Sequence, residues 1–361
     1  YCGGCYKNDL RCNCFIVLRS LMPESLFLKT CNGLVSTQKP VWFMRQAGRY
    51  LPEYMEVRNQ FKTFLDFVRD SEAAAKVTVQ PVDRFGVDAT ILFSDILVLL
   101  PTLGINVNFF SGIGPQIENA IQTEKAIAEL KDPNLEKELF YTKEAIEKTQ
   151  NLLKGKTPLL GFIGGPLTLA SYAIEGKTSK DLHQVKKLFY QNPNAYHSLL
   201  MKISEAAGEY LSLQAKWGCD ALVVMDSWAG HLSVEDYQKM AFTYSKRAIE
   251  IAKSKNVPIL HYANGAGHLL QEFLKLPASG FGLDWRTSLE NALADHPNVT
   301  FQGNLDPATL FAPKEIIQRR VREILELTKN RPHIMNLGHG ILPGTPIEGV
   351  QAFIDAVRKY G

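Results

Sequence analysis

Ala221-Leu222-Val223-Val224-Met225, closed by Asp226, is the stretch that decides the architecture. Five apolar residues follow one another with no polar partner between them. A strand with one wet face alternates apolar and polar residues, so an unbroken run points to a parallel strand buried on both faces.

Similar runs appear on either side of it. They lie at 40–44, 87–93, 158–163, 257–262, 280–283, 299–302 and 333–337. Helical stretches separate them, near 71–85, 132–154, 180–190, 194–217, 233–255, 267–275 and 346–359. Strands alternating with helices make βαβ units, and eight such units suit a (β/α)8 TIM barrel. A doubly wound open sheet explains the alternation but not the count of eight. No linker or composition shift interrupts 35–361, which reads as one α/β barrel domain.

With 361 residues, 45% hydrophobic and 21% charged, the chain is long enough to bury a large core. Its 40 basic and 37 acidic residues are too evenly matched for a nucleic-acid binder, which shows a basic stripe. No apolar run is long enough to span a bilayer; Ile91 to Leu103 is short and carries Asp95 and Pro101. Five of the six cysteines fall in the first 31 residues: Cys2, Cys5, Cys12, Cys14 and Cys31. Cys12 and Cys14 stand too close for a usual zinc knuckle. Residues 1–34 therefore read as a poorly ordered leader. Four Lys/Arg against two Asp/Glu in residues 1–30 suit the remnant of a transit peptide.

A barrel of this kind places its active site where the strands end. The first run is followed by Arg45 and Arg49, the second by Ser94-Asp95, and the third by Gly164-Gly165-Pro166 leading to Tyr172. The fourth leads into Asp226-Ser227-Trp228-Ala229-Gly230-His231 and the fifth into Asn264-Gly265. After the last three come Asp284-Trp285-Arg286, Gly303-Asn304-Leu305-Asp306-Pro307 and Gly338-His339-Gly340. Each residue also has a plainer reading. Arg45 and Arg49 suit ion pairs with Glu53 or Asp95, and Asp95 suits a turn cap. Tyr172 suits a core tyrosine with its hydroxyl at the rim, while Asp226 and Ser227 suit turn formers. His339 suits a tight turn or a phosphate site, and His231, His261 and His268 suit structural or solvated positions. Asn264-Gly265-Ala266-Gly267 lacks the spacing of a nucleotide loop. There is no Gly-x-Ser-x-Gly elbow, and the barrel loops hold no thiol cluster. The remaining set binds a polyanion and handles protons without a metal or a covalent nucleophile.

Pro40-Val41-Trp42 with Met44-Arg45-Gln46-Ala47-Gly48-Arg49-Tyr50-Leu51-Pro52-Glu53 resembles the signature of the uroporphyrinogen decarboxylase family. Phe93-Ser94-Asp95-Ile96-Leu97, Asp226-Ser227-Trp228-Ala229-Gly230, Gly303-Asn304-Leu305-Asp306-Pro307 and Asn336-Leu337-Gly338-His339-Gly340 follow in the family's order. The resemblance runs from about residue 20 to 361 and implies a single (β/α)8 barrel, usually a homodimer, working without a cofactor or metal. The implied activity is decarboxylation of the four acetates of uroporphyrinogen III to give coproporphyrinogen III, in haem and other tetrapyrrole biosynthesis. It assigns Asp95 to the substrate nitrogens and to stabilising a protonated pyrrole. Arg45 and Arg49 hold substrate carboxylates, and Arg45 also positions the proton source. Tyr172, Ser227 and His339 align with contacts to acetate or propionate; Arg58 and the backbone of Ala47 are weaker carry-overs. Met225 stands where the family often has a bulkier residue, and the cysteine-rich leader matches nothing in the catalytic body. The bacterial and plastid cast of Asp226-Ser227-Trp228, together with the leader, suggests a plastid-type organelle, with the cytoplasm as the alternative. A related barrel that moves methyl groups from corrinoid proteins needs a His-x-Cys zinc site, and Ala263 stands where that cysteine belongs. A non-catalytic porphyrin-binding protein of the same fold is the other rival.

Overall fold

Side chains on a strand point alternately to its two faces, and here both faces are dry. The computed structural model describes residues 25–110 and 114–361. Its strands are β1 (Thr90–Ile91), β2 (Val107–Phe110), β3 (Gly114–Ile117), β4 (Leu159–Gly164), β5 (Ala221–Asp226), β6 (Ile259–Ala263), β7 (Gly280–Gly282), β8 (Phe301–Leu305) and β9 (His333–Leu337). Seven of them form one curled parallel sheet in the order β1-β4-β5-β6-β7-β8-β9. β2 and β3 form a separate antiparallel hairpin, an insertion after the second run that the apolar pattern does not announce.

The deciding stretch divides between two cores. Ala221 and Val223 point inward with Leu160, Phe162, Leu260, Tyr262 and Ile334. Leu222 and Val224 point outward, into the layer shared with the surrounding helices. Burial on both faces is the physical reason the run is continuous.

The expected first strand, 40–44, is reduced to one parallel bridge, Val41 to Met335. It still closes the ring. The Met335 amide donates to the Pro40 carbonyl at 2.8 Å, and the Trp42 amide donates to the Met335 carbonyl at 3.3 Å. On the other side the Asp88 amide donates to the Val41 carbonyl at 2.8 Å. The Val41 amide is satisfied by the Asp88 carboxylate at 2.7 Å rather than by a backbone carbonyl. Pro40 has no N–H to offer, so a longer ladder is not available here.

The helices largely follow the expected spans. Ser71–Phe85 starts on Asp70, whose carboxylate accepts from the Ala73 amide at 2.8 Å, and stops at Gly86 with φ 63°. Pro193–Trp217 starts on Asn192, with proline at its first position. The single helix expected over 132–154 is two, Leu135–Glu138 and Phe140–Leu153. Leu289–Asp295 and Lys314–Thr328 complete the wall beside β8 and β9.

The boundary drawn at residue 34 needs correcting. Leu26–Cys31 is a helix capped by Ser25, whose hydroxyl accepts from the Leu28 amide at 3.1 Å. Phe27 and Cys31 join the inward-facing core, and Thr300 donates its hydroxyl to the Thr30 carbonyl at 3.1 Å. Thr300 stands just ahead of β8, so this short helix plugs the end of the barrel where the strands begin. Its six residues are too few to show a helical period in the sequence. Cys2, Cys5, Cys12, Cys14 and the transit-peptide reading lie outside the described residues. Among those described, no helix is long and apolar enough to cross a membrane.

Phe27 is fully buried in the plug. Phe27→Ala is expected to lower unfolding stability by about 3–5 kcal/mol, read as a fall in the thermal midpoint. A midpoint unchanged from wild type means that the plug does not contribute to the core.

Candidate active site

The loop leaving the Val41 bridge is shaped by one buried amide. Gln46 is 1% exposed. Its side-chain oxygen accepts from the Phe43 amide at 3.1 Å, and its nitrogen donates to the Thr90 hydroxyl at 2.9 Å and to the Ala89 carbonyl at 3.3 Å. The Tyr50 hydroxyl donates to the Gln46 carbonyl at 2.8 Å. With Gln46 turned inward, its neighbour Arg45 is turned out to solvent, in the left-handed region at φ 59°. A non-glycine residue held there stores of order 1–3 kcal/mol, a cost typical of functional sites. The Arg45 stem lies against Gly340: a Cβ at that glycine would sit 2.6 Å from Arg45 Cδ and 2.8 Å from Cγ. Residue 340 must therefore be glycine for Arg45 to take this path beside His339. Ala47 is half-buried against the core.

Arg49 is also exposed, and with half-buried Arg58 it opposes the rise that burial imposes on the Tyr54 phenol. Arg58 commits one N–H to the Phe61 carbonyl at 2.8 Å. Glu53, the structural partner that the sequence offered, is taken by Arg84 at 3.0 Å. Among the described residues, neither Arg45 nor Arg49 makes an ion pair.

Asp95 stands beyond β1, where its carboxylate accepts from the Leu97 amide at 2.8 Å, so the turn-capping reading holds as well. Burial pushes its carboxyl up to about 6, against the Leu97 N–H and the positive charge of Arg45. Tyr172 sits on Pro166–Glu175, edge-to-face with Trp228 at 5.5 Å. Burial raises its phenol; Asp95 adds to the rise, while Trp228 and Arg45 oppose it. Arg45, Asp95 and Tyr172 are thus in one another's fields.

The same helix fixes the loop after β5. Thr168 donates its hydroxyl to Asp226 at 2.8 Å and accepts from the Trp228 amide at 3.2 Å. Asp226 is fully buried behind the loop, its carboxyl pushed up to about 6 by burial and eased by Thr168 and Ser245. Ser227 sits half-buried between these anchored neighbours.

On the far arc the Tyr262 hydroxyl donates to the Gly338 carbonyl at 2.8 Å, and its ring meets His339 edge-on at 6.0 Å. The Gly340 amide donates to His339 Nδ1 at 2.6 Å. Burial pushes His339 down to about 4, with Arg45 and then Arg286 adding to the fall and Asp284 opposing it. His339 is therefore neutral near pH 7. With Nδ1 accepting, the remaining proton belongs on Nε2, a donor suited to a carboxylate.

Asp284, Trp285 and Asn304 stand at strand ends in the sequence, but nothing there marks what they do. The Asn304 amide donates to the Asp284 and Thr287 carbonyls at 2.9 and 2.8 Å, which ties the loop after β7 to strand β8. His261, in contrast, is fully buried between Phe273 and Phe281, at ring separations of 5.8 and 6.4 Å. A groove of about 500 Å³ lined by Leu310, Ile317 and Ile347 lies on the outer helical wall and touches none of the mouth residues.

Residues 22–360 match the family described as uroporphyrinogen decarboxylase (URO-D). A uroporphyrinogen decarboxylase of Carboxydothermus hydrogenoformans is 45% identical over 338 residues, covering 92% of this chain and 95% of that one. One from Geobacter metallireducens is 42% identical, covering 92% and 98%. Among solved structures, a methyltransferase from Methanosarcina mazei superposes with a TM-score of 0.79 at 19% identity, covering 92% of this chain and 97% of that one. That likeness speaks to the barrel fold alone.

Replacing Gln46 by Leu leaves the buried Phe43 amide without its acceptor. A loss of about 1–3 kcal/mol in urea-induced unfolding is expected. An unchanged midpoint means that the arginine loop is held by something else.

Proposed function

The chain belongs to the uroporphyrinogen decarboxylase family, and from that premise we propose that it removes the four acetate carboxyls of uroporphyrinogen III as CO₂. The product is coproporphyrinogen III, and the reaction belongs to tetrapyrrole biosynthesis. The observation that carries the residue-level reading is the half-buried carboxylate of Asp95, raised by burial and lying within the field of the unpaired Arg45 guanidinium.

Loss of CO₂ from an arylacetate needs somewhere for the bonding electrons to go. Protonating the ring carbon next to the one that bears the acetate makes a cationic ring that accepts them. When CO₂ leaves, the pair forms an exocyclic C=C on a neutral ring. A proton then adds to that methylene to make the methyl group, and the ring carbon gives back the proton it first took, which restores the pyrrole. Asp95 faces the pyrrole N–H groups and stabilises the cation. Its carboxylate is preorganised and largely ionised at neutral pH, and a charge fixed in a dry site acts more strongly than one in water. Arg45 and Arg49 grip substrate carboxylates as planar forks. An arginine is too weak an acid to deliver the proton itself, so Arg45 orients an acid or a water. Tyr172, Ser227 and the Nε2–H of His339 contact acetate or propionate groups. Arg58, partly committed to Phe61, and the backbone of Ala47 make weaker contributions.

The reading also includes a homodimer, which sedimentation tests. It places the enzyme in the cytoplasm rather than a plastid, a reading supported by its likeness to the Carboxydothermus and Geobacter proteins. The methyl-transfer alternative is disfavoured by Ala263 at the end of β6, where its zinc site needs a cysteine.

The deciding assay is anaerobic, with freshly reduced uroporphyrinogen III, following products from seven to four carboxylates by chromatography. A folded protein that yields none of them is a binding protein, not this enzyme. Asp95→Asn is expected to lower kcat by ~10²–10³-fold, and full activity would remove Asp95 from the mechanism. Because the carboxylate is the active form, kcat/KM should fall as pH drops through about 6. A flat profile from pH 5 to 7 contradicts that assignment.

Arg45→Lys and Arg49→Lys exchange a bidentate fork for a point charge. Each is expected to raise KM. Kinetics unchanged in both would return the two arginines to a structural or solvated role.

A further inference from the structure

Arg286 is a third guanidinium at the mouth, and the mechanism above leaves it unused. It follows β7, and its side chain is 55% exposed. Its guanidinium carbon lies 4.0 Å from the centre of the Trp285 ring, and Trp285 in turn lies 6.4 Å from the His339 ring. Asp284 is its nearest carboxylate, yet the closest approach, 3.7 Å, is too long for a hydrogen bond. Asp284 is already committed elsewhere. It accepts from the Gly265 amide, from the Arg286 amide at 2.7 Å and, at 3.4 Å, from the Thr287 hydroxyl. The fully buried carboxylate thus anchors the loop backbone and leaves the guanidinium edge open. Stacking on Trp285 uses the flat face of the fork and presents its N–H groups outward. The charge reaches the site: together with Arg45 it depresses His339, and both arginines oppose the burial-driven rise of the Tyr262 phenol.

We infer that Arg286, stacked on Trp285 and set by Asp284, is a further anchor for a carboxylate of the substrate, on the arc of the mouth between His339 and the loop after β6. The inference rests on the tetrapyrrole reading, in which the acetate and propionate arms outnumber Arg45 and Arg49. Its contact is with a carboxylate that stays on the macrocycle, so it contributes to binding rather than to the bond-breaking step.

The test combines steady-state kinetics of Arg286→Gln and Arg286→Lys with a fluorescence titration of each by oxidised uroporphyrin I. Arg286→Gln should raise KM and the uroporphyrin Kd by roughly 1.5- to 5-fold, the range for one exposed ionic contact. Its kcat should stay within about twofold. Arg286→Lys should fall between Gln and wild type, and Arg320→Gln, on the outer helix Lys314–Thr328, should behave as wild type. Unchanged KM and Kd in Arg286→Gln overturn the inference. So does a lowered melting temperature with an unchanged Kd, since Arg286 then serves only its loop. If wild type turns over no uroporphyrinogen, the enzyme reading fails by itself, and the uroporphyrin titration still decides whether Arg286 grips a polycarboxylate.

Discussion

The ring is closed by a side chain. Between β9 and β1 the barrel has only the short run at Val41, and the carboxylate of Asp88 supplies the acceptor that a neighbouring strand would normally provide. The same carboxylate holds Arg358 of the last helix at 2.8 Å, so closure and the C-terminal wall share one group. The chain that leaves this seam has to pass between the loop after β9 and the loop after β1. Arg45 consequently packs on Gly340 on one side and projects its field onto Asp95 on the other. A longer first strand would carry the two arginines further out.

One charge then bears on two protonation states that burial dominates. Asp95 is held up by burial and His339 is held down by burial, each away from its charged form. Arg45 opposes the first effect and reinforces the second. Near neutral pH the mouth therefore holds an ionised acid and an uncharged imidazole, which suits the proposed contacts to pyrrole N–H groups and a carboxylate. Without that guanidinium, both groups would titrate closer to neutrality.

The sheet was legible because burial on both faces leaves an unbroken apolar run, and Ala221–Met225 needs no further context. The seam was legible as a position but not as a length, since neither Pro40 nor the stand-in carboxylate of Asp88 shows in a pattern of apolar residues. The plug helix was hidden by its brevity and by the cysteines before it. Half-exposed β2 and β3, with glycine and proline at the start of β3, offer no run at all. At the site, strand ends plus motif resemblance located Arg45, Asp95, Tyr172 and His339 around one mouth. Gln46 escaped notice because a polar residue between two arginines looks like another solvated loop position. Its burial depends on Thr90 and Phe43, partners that only the closed ring brings together. Arg286 looked like an ordinary strand-end residue for a similar reason: its platform and its freedom from Asp284 are matters of distance.

The guanidiniums of Arg45, Arg49 and Arg286 are all exposed, and this suits the proposed chemistry better than buried pairs would. A buried arginine–carboxylate pair is costly to separate, because each partner is then left desolvated. An exposed pair is worth only about 0.2–1 kcal/mol. The proposed substrate loses its acetates one at a time, from four different pyrroles, so the macrocycle must be presented anew at every round, and each grip must be released and remade. Several weak forks at the rim permit that turning, while a single strong one deep in the barrel would hold the macrocycle in one orientation. Asp95 is held more firmly, half-buried on the Leu97 amide, and the partner proposed for it, a cationic pyrrole, exists only during reaction.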